Sequence, residues 1–276
     1  MTESRDIIES PEALQRPPRG RAPAQVRHAL IMKAFNRDGF VSVSDIARDI
    51  GVSPMTIRRD LALLDRDGQI VRTHGGGVVS DFDSHEPVFD QRLEIHAGEK
   101  NAIARAAADL IMPMESVGLD VGTSILALAD QIKGRSDLRI FTNNLRAAMN
   151  LAGSGSPIYI PAGEVRTPEF SIVGTAAIEH LKKHYLNRVF IGVSGLCDLG
   201  IFDFSPEDTE VKRAFIEISD CVVVVCDSSK FGRRGLAHVG TLDAIDILVT
   251  DQSPPADLAK SLAEAGVQVI VAQAAN

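Results

Sequence analysis

The run "SPMTIRRDLALLDRDGQIVRTHGGG", Ser53 to Gly77, carries a helix start, a helix and a glycine-rich hairpin in succession. Ser53 is suited to cap a helix whose first position is Pro54, where a missing N–H costs nothing. Ile57, Leu61 and Leu64 recur at helical spacing and face inward, which leaves Thr56, Arg58 and Arg59 outside. "QIVRTHGGGVV" then alternates like a strand, passes three glycines and resumes as "VV", the pattern of a wing. Upstream, Ser44 is placed to cap "DIARDI", where Ile46, Ala47 and Ile50 make one apolar stripe and Gly51 supplies the turn. Before that, a helix fits "QVRHALIMKAFNRDG", with Val26, Leu30 and Phe35 near helical spacing and Gly39 as its stop. Two short helices across a tight glycine turn, the second exposing Thr and Arg in its first turns, have the order of a helix-turn-helix.

Charge divides the chain at the same place. From Ala13 to Val79 there are eleven Lys and Arg, ten of them Arg, against six Asp and Glu, a balance of +5 that leaves −13 for the remainder of a chain of net charge −8. A basic segment joined to an acidic body suggests a nucleic-acid-binding head and a body with another task. The 276 residues favour two domains, and the 45% apolar content supports a substantial core. No uninterrupted apolar run reaches the ~18 residues of a membrane span, and the N-terminus lacks a long apolar signal region, so no membrane partner and a cytoplasmic location are expected. The three cysteines, Cys197, Cys221 and Cys226, show no CxxC spacing and read as small core residues. Tryptophan is absent and tyrosines number two, which argues against aromatic stacking platforms. The division expected is a tail over 1–24, a winged helix-turn-helix over 25–80, a polar linker over 81–96 and a body over 97–276.

In the body, short Val- and Ile-rich strands ("SVGLDVG", "LRIFTNN", "PIYIPAGE", "RVFIGVSGL", "CVVVVCDSS", "IDILVTD", "VQVIVA") alternate with helical segments. That alternation predicts an α/β domain built on a parallel sheet covered on both faces. Ligands of such sheets bind beyond the carboxyl ends of the strands, and the unusual polar residues gather there. Asp120 ends one strand and is followed by Gly122, Thr123 and Ser124 at a helix start, a natural phosphate cradle. Thr142 and Asn143 end the next strand, Gly163 and Gly195 end two more, and Lys230 follows a fifth. Glu210 and Lys212 share a helix but sit two apart, so only one is expected to face a ligand. These ends suit a small polar anion, and the shortage of aromatics favours a sugar phosphate over a flat base. His180 and His184 lie four apart on a helix, yet "EHLKKH" reads equally as a solvated helix face, so no metal is expected.

With those residues in place, the chain from about Gln25 to Asp251 resembles the DeoR family of bacterial transcription regulators. The head pattern is met by Ser53, Thr56, Ile57, Arg58, Arg59, Asp60, Leu61, Gly68, Arg72, His74, Gly75 and Gly76. In the body the matches are Glu99 and Lys100, the loop from Asp120 to Ser124, Thr142 and Asn143, the run Glu210 to Arg213, and Lys230 with Phe231. Two positions depart from the usual pattern: Ala162-Gly163 replaces Gly-Gly, and Thr123-Ser124 replaces Thr-Thr. The resemblance implies a winged helix-turn-helix joined to a domain like that of ribose-5-phosphate isomerase, which senses a phosphorylated sugar or polyol without turning it over. It implies no catalytic residue and no cofactor. Ser53, Thr56, Arg58, Arg59, Arg72, His74, Gly75 and Gly76 would meet double-stranded operator DNA, and a homo-oligomer, dimer or tetramer, would present the heads. Asp120, Gly122, Thr123, Ser124, Thr142, Asn143, Gly163, Gly195, Glu210, Lys212 and Lys230 would hold the effector. The competing reading is an aldose-ketose phosphate isomerase with an appended head, using Asp120, Glu210 and Lys230.

Overall fold

A computed structural model describes residues 24, 26–28, 30–32, 40–66, 71–73, 76–78 and 89–273. The chain divides into two units, Met1–Val79 and Ser80–Asn276. Expectations for the tail, Phe35, Gly68, His74 and Gly75 lie outside the described residues.

In the first unit residues 26–28 and 30–32 are helical. They are followed by β1 (Phe40–Ser42), α1 (Val43–Ile50), α2 (Pro54–Arg66), β2 (Val71–Thr73) and β3 (Gly76–Val78). The strands form an antiparallel sheet in the order β1-β3-β2, with Val71 opposite Val78 and Thr73 opposite Gly76, so the wing is a hairpin extended by β1. Ile46, Ala47, Ile57, Leu61 and Leu64 are buried together with Ile31 and Val43, as the apolar spacing predicts. Two details differ. Helix α1 starts at Val43, which puts Ser44 inside its first turn. Val26 and Leu30 are exposed, and among the described residues of that helix Ile31 is buried in the core, with Met32 packed against it. The inward face there is shared with polar groups, because Arg27 and His28 turn in to meet the buried Asp60.

The second unit opens with α3 (Phe89–Glu94), inside the stretch expected as linker. Phe89 is fully buried, and the Arg146 guanidinium lies over its ring at 4.4 Å and over that of Phe170 at 4.8 Å. The buried Lys100 ammonium donates to the carbonyls of Arg92 and Ile95 and so closes the helix end. One aromatic in a polar segment gives no period to read, so this anchor was invisible in the sequence.

The order then runs α4 (Ala97–Ala108), β4 (Ser116–Leu119), α5 (Thr123–Ile132), β5 (Arg139–Thr142), α6 (Leu145–Leu151), β6 (Ile158–Tyr159), β7 (Glu164–Arg166), β8 (Ser171–Val173), α7 (Thr175–Leu181) and β9 (Arg188–Gly192). It continues with β10 (Gly195–Cys197), β11 (Gly200–Asp203), α8 (Pro206–Glu217), β12 (Val222–Val225), β13 (Ala237–Gly240), β14 (Ile247–Thr250), α9 (Ala256–Glu264) and β15 (Gln268–Val271). Seven strands make one sheet in the order β15-β14-β12-β9-β4-β5-β6, every pair parallel. Alternate residues of its central strands enter opposite cores. Val189, Ile191, Val222 and Val224 pack with Phe215 of α8 and Leu262 of α9. Phe190, Val223 and Val225 pack with Ile103 of α4 and Leu128 of α5. Burial on both faces explains why β12 is an unbroken run of valines.

Two strands expected as single pieces are divided. "PIYIPAGE" stops as a sheet strand at Tyr159 and re-forms as β7, which pairs antiparallel with β8. "RVFIGVSGL" ends at Gly192, and its last residues become β10 in a small antiparallel sheet with β11 and β13. Close backbone approach at two glycines accompanies these departures: a Cβ on Gly163 would lie 2.5 Å from Val173 O, and one on Gly195 would lie 2.4 Å from Arg233 O. Cys197 and Cys226 are buried as expected, whereas Cys221 is half-buried with its sulfur accepting from Arg188.

Candidate functional site

In the first unit the Ser53 hydroxyl accepts from the Thr56 N–H at 3.2 Å and Pro54 opens α2, so the second helix of the pair is capped as its sequence requires. Ile57 and Leu61 are buried, and Arg58 and Arg59 project from the opposite side into solvent with the exposed Ser53. Asp60, the third residue of the R-R-D run, has a different task. It is buried and takes two hydrogen bonds from the Arg27 guanidinium, both at 2.8 Å, and one contact from His28 at 3.3 Å. Burial would raise its carboxyl pKa, but the Arg27 bonds outweigh that and hold it below the ordinary value. The pair fastens the preceding helix to α2 and fixes the surface on which the two arginines stand. Arg72 lies in β2 opposite Gly77, and Gly76 lies in β3 opposite Thr73.

In the second unit the chain runs outward from β4 through β5 to β6, then returns to β9 on the other side of β4. The reversal falls at the carboxyl ends of β4 and β9, the position where doubly wound sheets take ligands. Asp120 stands at that point, fully buried. Its Oδ2 accepts from the Gly192 N–H at 3.1 Å and from the Lys212 ammonium. Lys212 also donates to Gly192 O at 2.9 Å and pairs with Asp203 Oδ2 at 3.1 Å. Burial pushes the Asp120 carboxyl up to about 6 against the pull of Lys212. Burial alone would lower the Lys212 ammonium, but Asp120 and Asp203 outweigh it and raise it above its ordinary value.

Helix α5 begins three residues past Asp120, with Gly122 at its N-cap position. Gly122 has φ of 144°, a conformation reserved for glycine, and no side chain caps the helix, so the first-turn N–H groups around Thr123 and Ser124 lack an intrahelical acceptor. Thr142 and Asn143 are fully buried one strand over. The Thr142 hydroxyl donates to Leu119 O and accepts from Asn144 N, a structural use that ties β5 to β4. Asn143 takes an N–H from Ile172 on its backbone oxygen at 2.7 Å and donates its side-chain amide to Ile172 O at 3.5 Å, which brings the β7–β8 hairpin against the strand ends.

Of the remaining candidates, Glu210 is exposed and paired with Arg213, on the other side of α8 from Lys212. Lys212 is therefore the residue of that pair that meets Asp120. Gly163 and Gly195 serve the backbone approaches described above. Lys230 lies in a short 3-10 helix, Ser228–Lys230, after β12, with the buried Asp227 as its cap. His180 accepts from Ala162 N and packs its ring on His184, which stacks on Phe141. Arg166, Ser171, Asp203, Asp208 and Thr209 carry no local signal that marks them for the site. Asp208 and Thr209 occupy the opening turn of α8, where Ser205 accepts from Asp208 N, so locally they read as an ordinary capped start.

A helix-turn-helix head followed by a parallel α/β domain with a buried polar site at its switch point defines a ligand-responsive, DNA-binding transcriptional regulator. Residues 27–82 match the DeoR-like helix-turn-helix domain, and residues 95–252 match the DeoR C terminal sensor domain. The chain belongs to the DeoR family. It is 33% identical over 245 residues to the glycerol-3-phosphate regulon repressor of Escherichia coli K12, covering 88% of this chain and 97% of that protein. It is 31% identical over 249 residues to a putative aga operon transcriptional repressor of Escherichia coli O157:H7, covering 89% and 93%. Ribose 5-phosphate isomerase A from Methanocaldococcus jannaschii superposes with TM-score 0.37 at 15% identity, over 49% of this chain and 55% of the isomerase. The family consists of transcriptional regulators and not enzymes, so the isomerase reading is set aside; the exposed Glu210 also stands apart from Asp120. No helix among the described residues is long and apolar enough to cross a membrane.

Proposed function

We propose that this protein is a homo-oligomeric repressor of a carbohydrate or polyol catabolic operon, released from double-stranded operator DNA by a phosphorylated sugar or polyol. The observation that carries this reading is the buried Asp120–Lys212 pair at the switch point beside the uncapped start of α5. The first turn of α5, Gly122 to Ser124, holds the phosphoryl group with its N–H groups and hydroxyls, and Asp120, Asn143 and Lys212 order the crevice behind it. Lys230 supplies a cation at the rim, and the protein works in the cytoplasm. The names of its relatives, repressors of glycerol-3-phosphate and aga operons, support both the sign of regulation and the chemical class.

In the head, Thr56 and Arg58 reach base edges from the exposed start of α2, and Arg59 and Arg72 neutralise phosphates. His74, Gly75 and Gly76 bring the wing close to the backbone. One helix reads too few base pairs for selectivity, so paired heads on repeated half-sites are required. The effector acts only as far as it binds the released state more tightly than the DNA-bound state. The test is fluorescence anisotropy on the DNA upstream of the protein's own gene, challenged with a panel of sugar and polyol phosphates. Salt-dependent binding reversed by one of them is expected. Binding that no phosphorylated compound alters would refute the effector assignment.

A further inference from the structure

The Asp120–Lys212 pair belongs to a closed circuit of contacts. From Lys212 one turn back along α8 stand Asp208 and Thr209, on the same helix face. Asp208 is near enough to help raise the Lys212 pKa. Its Oδ2 lies 2.9 Å from Arg166 Nη1, an ion pair close in distance but not aligned as a hydrogen bond, so that N–H is left directed elsewhere. Arg166 is the cross-strand partner of Ser171 in the β7–β8 hairpin, and Ser171 is bridged to Asn144. Asn144 donates to Asp120 O at 3.5 Å, which returns the circuit to its start.

Six buried polar atoms on this circuit, or beside it in the case of Asn143, have no aligned hydrogen-bond partner: Asp120 Oδ1, Asn143 Oδ1, Ser171 Oγ, Asp208 Oδ1, Thr209 Oγ1 and Arg166 Nη1. Asp120, Asn143, Ser171, Asp208 and Thr209 are each at most 2% exposed. A buried unpartnered polar atom costs roughly 1–3 kcal/mol, and folded proteins leave few, so several in one place mark a missing occupant. Their chemistry says what it is. Three are pure acceptors that require a donor, two are hydroxyls that give and take, and one is a donor. The circuit also carries three carboxylates, Asp120, Asp203 and Asp208, against two cations, Lys212 and Arg166. A phosphoryl dianion has no proton to offer three acceptors and is repelled by the net negative charge. A chain of adjacent hydroxyls donates and accepts at every carbon and carries no charge.

We infer that this circuit is a hydroxyl-reading subsite, which grips at least two adjacent carbon-borne hydroxyls and leaves the anionic end of the ligand outside it. It rests on the effector reading above and adds an orientation. The polyhydroxyl end lies between α8 and the β7–β8 hairpin, and Ser171, Thr209 and the Arg166–Asp208 pair determine specificity. The subsite spends stability on binding, because its polar atoms are unpartnered until the ligand arrives.

The test combines two variants, Thr209→Val and Ser171→Ala, with calorimetric titration against inorganic phosphate, three-carbon and six-carbon polyol phosphates, and the matching neutral polyols. The expected result has three parts. Ligand-free variants melt at or above the wild-type temperature, since an unpartnered hydroxyl has been removed. Affinity for the six-carbon phosphate falls about tenfold per variant, the size of one lost hydrogen bond. Affinity for inorganic phosphate is unchanged. Equal loss for inorganic phosphate and polyol phosphates, or no loss for either, overturns the subsite. A lower melting temperature with unaltered affinity shows that ordered water satisfies these hydroxyls and overturns it as well. If wild type binds neutral polyols but no phosphate, the subsite stands and the phosphorylated-effector reading falls. If wild type binds nothing in the panel, both fall.

Discussion

Replacing Lys212 by Met removes the ammonium bonded to Asp120 and supplies no other cation in its place. Lys212 is 1% exposed and engages two carboxylates, one of them fully buried. Breaking such a pair from one side costs about 3–5 kcal/mol, because the partners stay buried without compensation. For a unit the size of Ser80–Asn276 each kcal/mol moves Tm by about 2–4 °C, so a fall of about 6–20 °C is expected near neutral pH. The loss also depends on pH, with a definite sign. Asp120 has a folded pKa of about 6, above its ordinary 3.8, so the native state takes up a proton first and its stability rises as pH falls through 6. Removing Lys212 removes the attraction that opposes this rise and moves the carboxyl higher still. Lys212 itself, raised in the fold, contributes fully below its unfolded pKa of 10.5 and stays charged throughout this window. At about pH 5 Asp120 is largely protonated in both proteins, so the deficit shrinks, by at most about 1.4 kcal/mol, while the loss of the Lys212 contacts to Asp203 and Gly192 O remains. Asp60, with a lowered pKa, loses its contribution only below this window. Calorimetric melts of both proteins at the two pH values decide it. A deficit near neutrality below about 1 kcal/mol, or one that does not change on acidification, would refute the buried-pair account.

In the head, Arg58→Ala is expected to cost about 1–3 kcal/mol for the operator and to relax selectivity at one base pair, whereas Arg59→Ala weakens all sequences alike and lowers the salt slope by about one. Anisotropy titrations over a salt series on operator and scrambled DNA separate the two. Asp60→Ala removes the buried carboxylate that Arg27 and His28 meet and is expected to destabilise the head by roughly 1.5–3 kcal/mol. Limited proteolysis is expected to show cleavage within residues 27–79 while the sensor domain keeps its melting transition. Gly163→Ala places a Cβ against Val173 O, so the β7–β8 hairpin must shift, at a cost of about 1–3 kcal/mol and with weaker effector binding. Parallel melts and effector titrations report both, and unchanged affinity would separate the hairpin from the site.

What the sequence by itself determined rests on neighbours along the chain. The cap at Ser53, the inward row Ile57, Leu61 and Leu64, the outward Arg58 and Arg59, and the valines of a doubly covered β12 are all periodic or positional, and period survives without knowledge of the fold. Asp120 was legible for the same reason, as the acid that ends a strand before a glycine and a helix. Tertiary structure alone decided what Asp120 meets. Lys212 reaches it from a helix far along the chain, while Arg166 and Ser171 of the β7–β8 hairpin join the same circuit through Asp208 and Asn144, contacts that no local pattern marks. Tertiary structure also chose Ile31 over Val26 and Leu30 for the head's core, made Asp60 a fastener, and turned Phe89 into an anchor. Contacts across the sheet's carboxyl edge depend on strand order, and the reversal that sets β4 beside β9 is a property of the closed fold that no local pattern encodes.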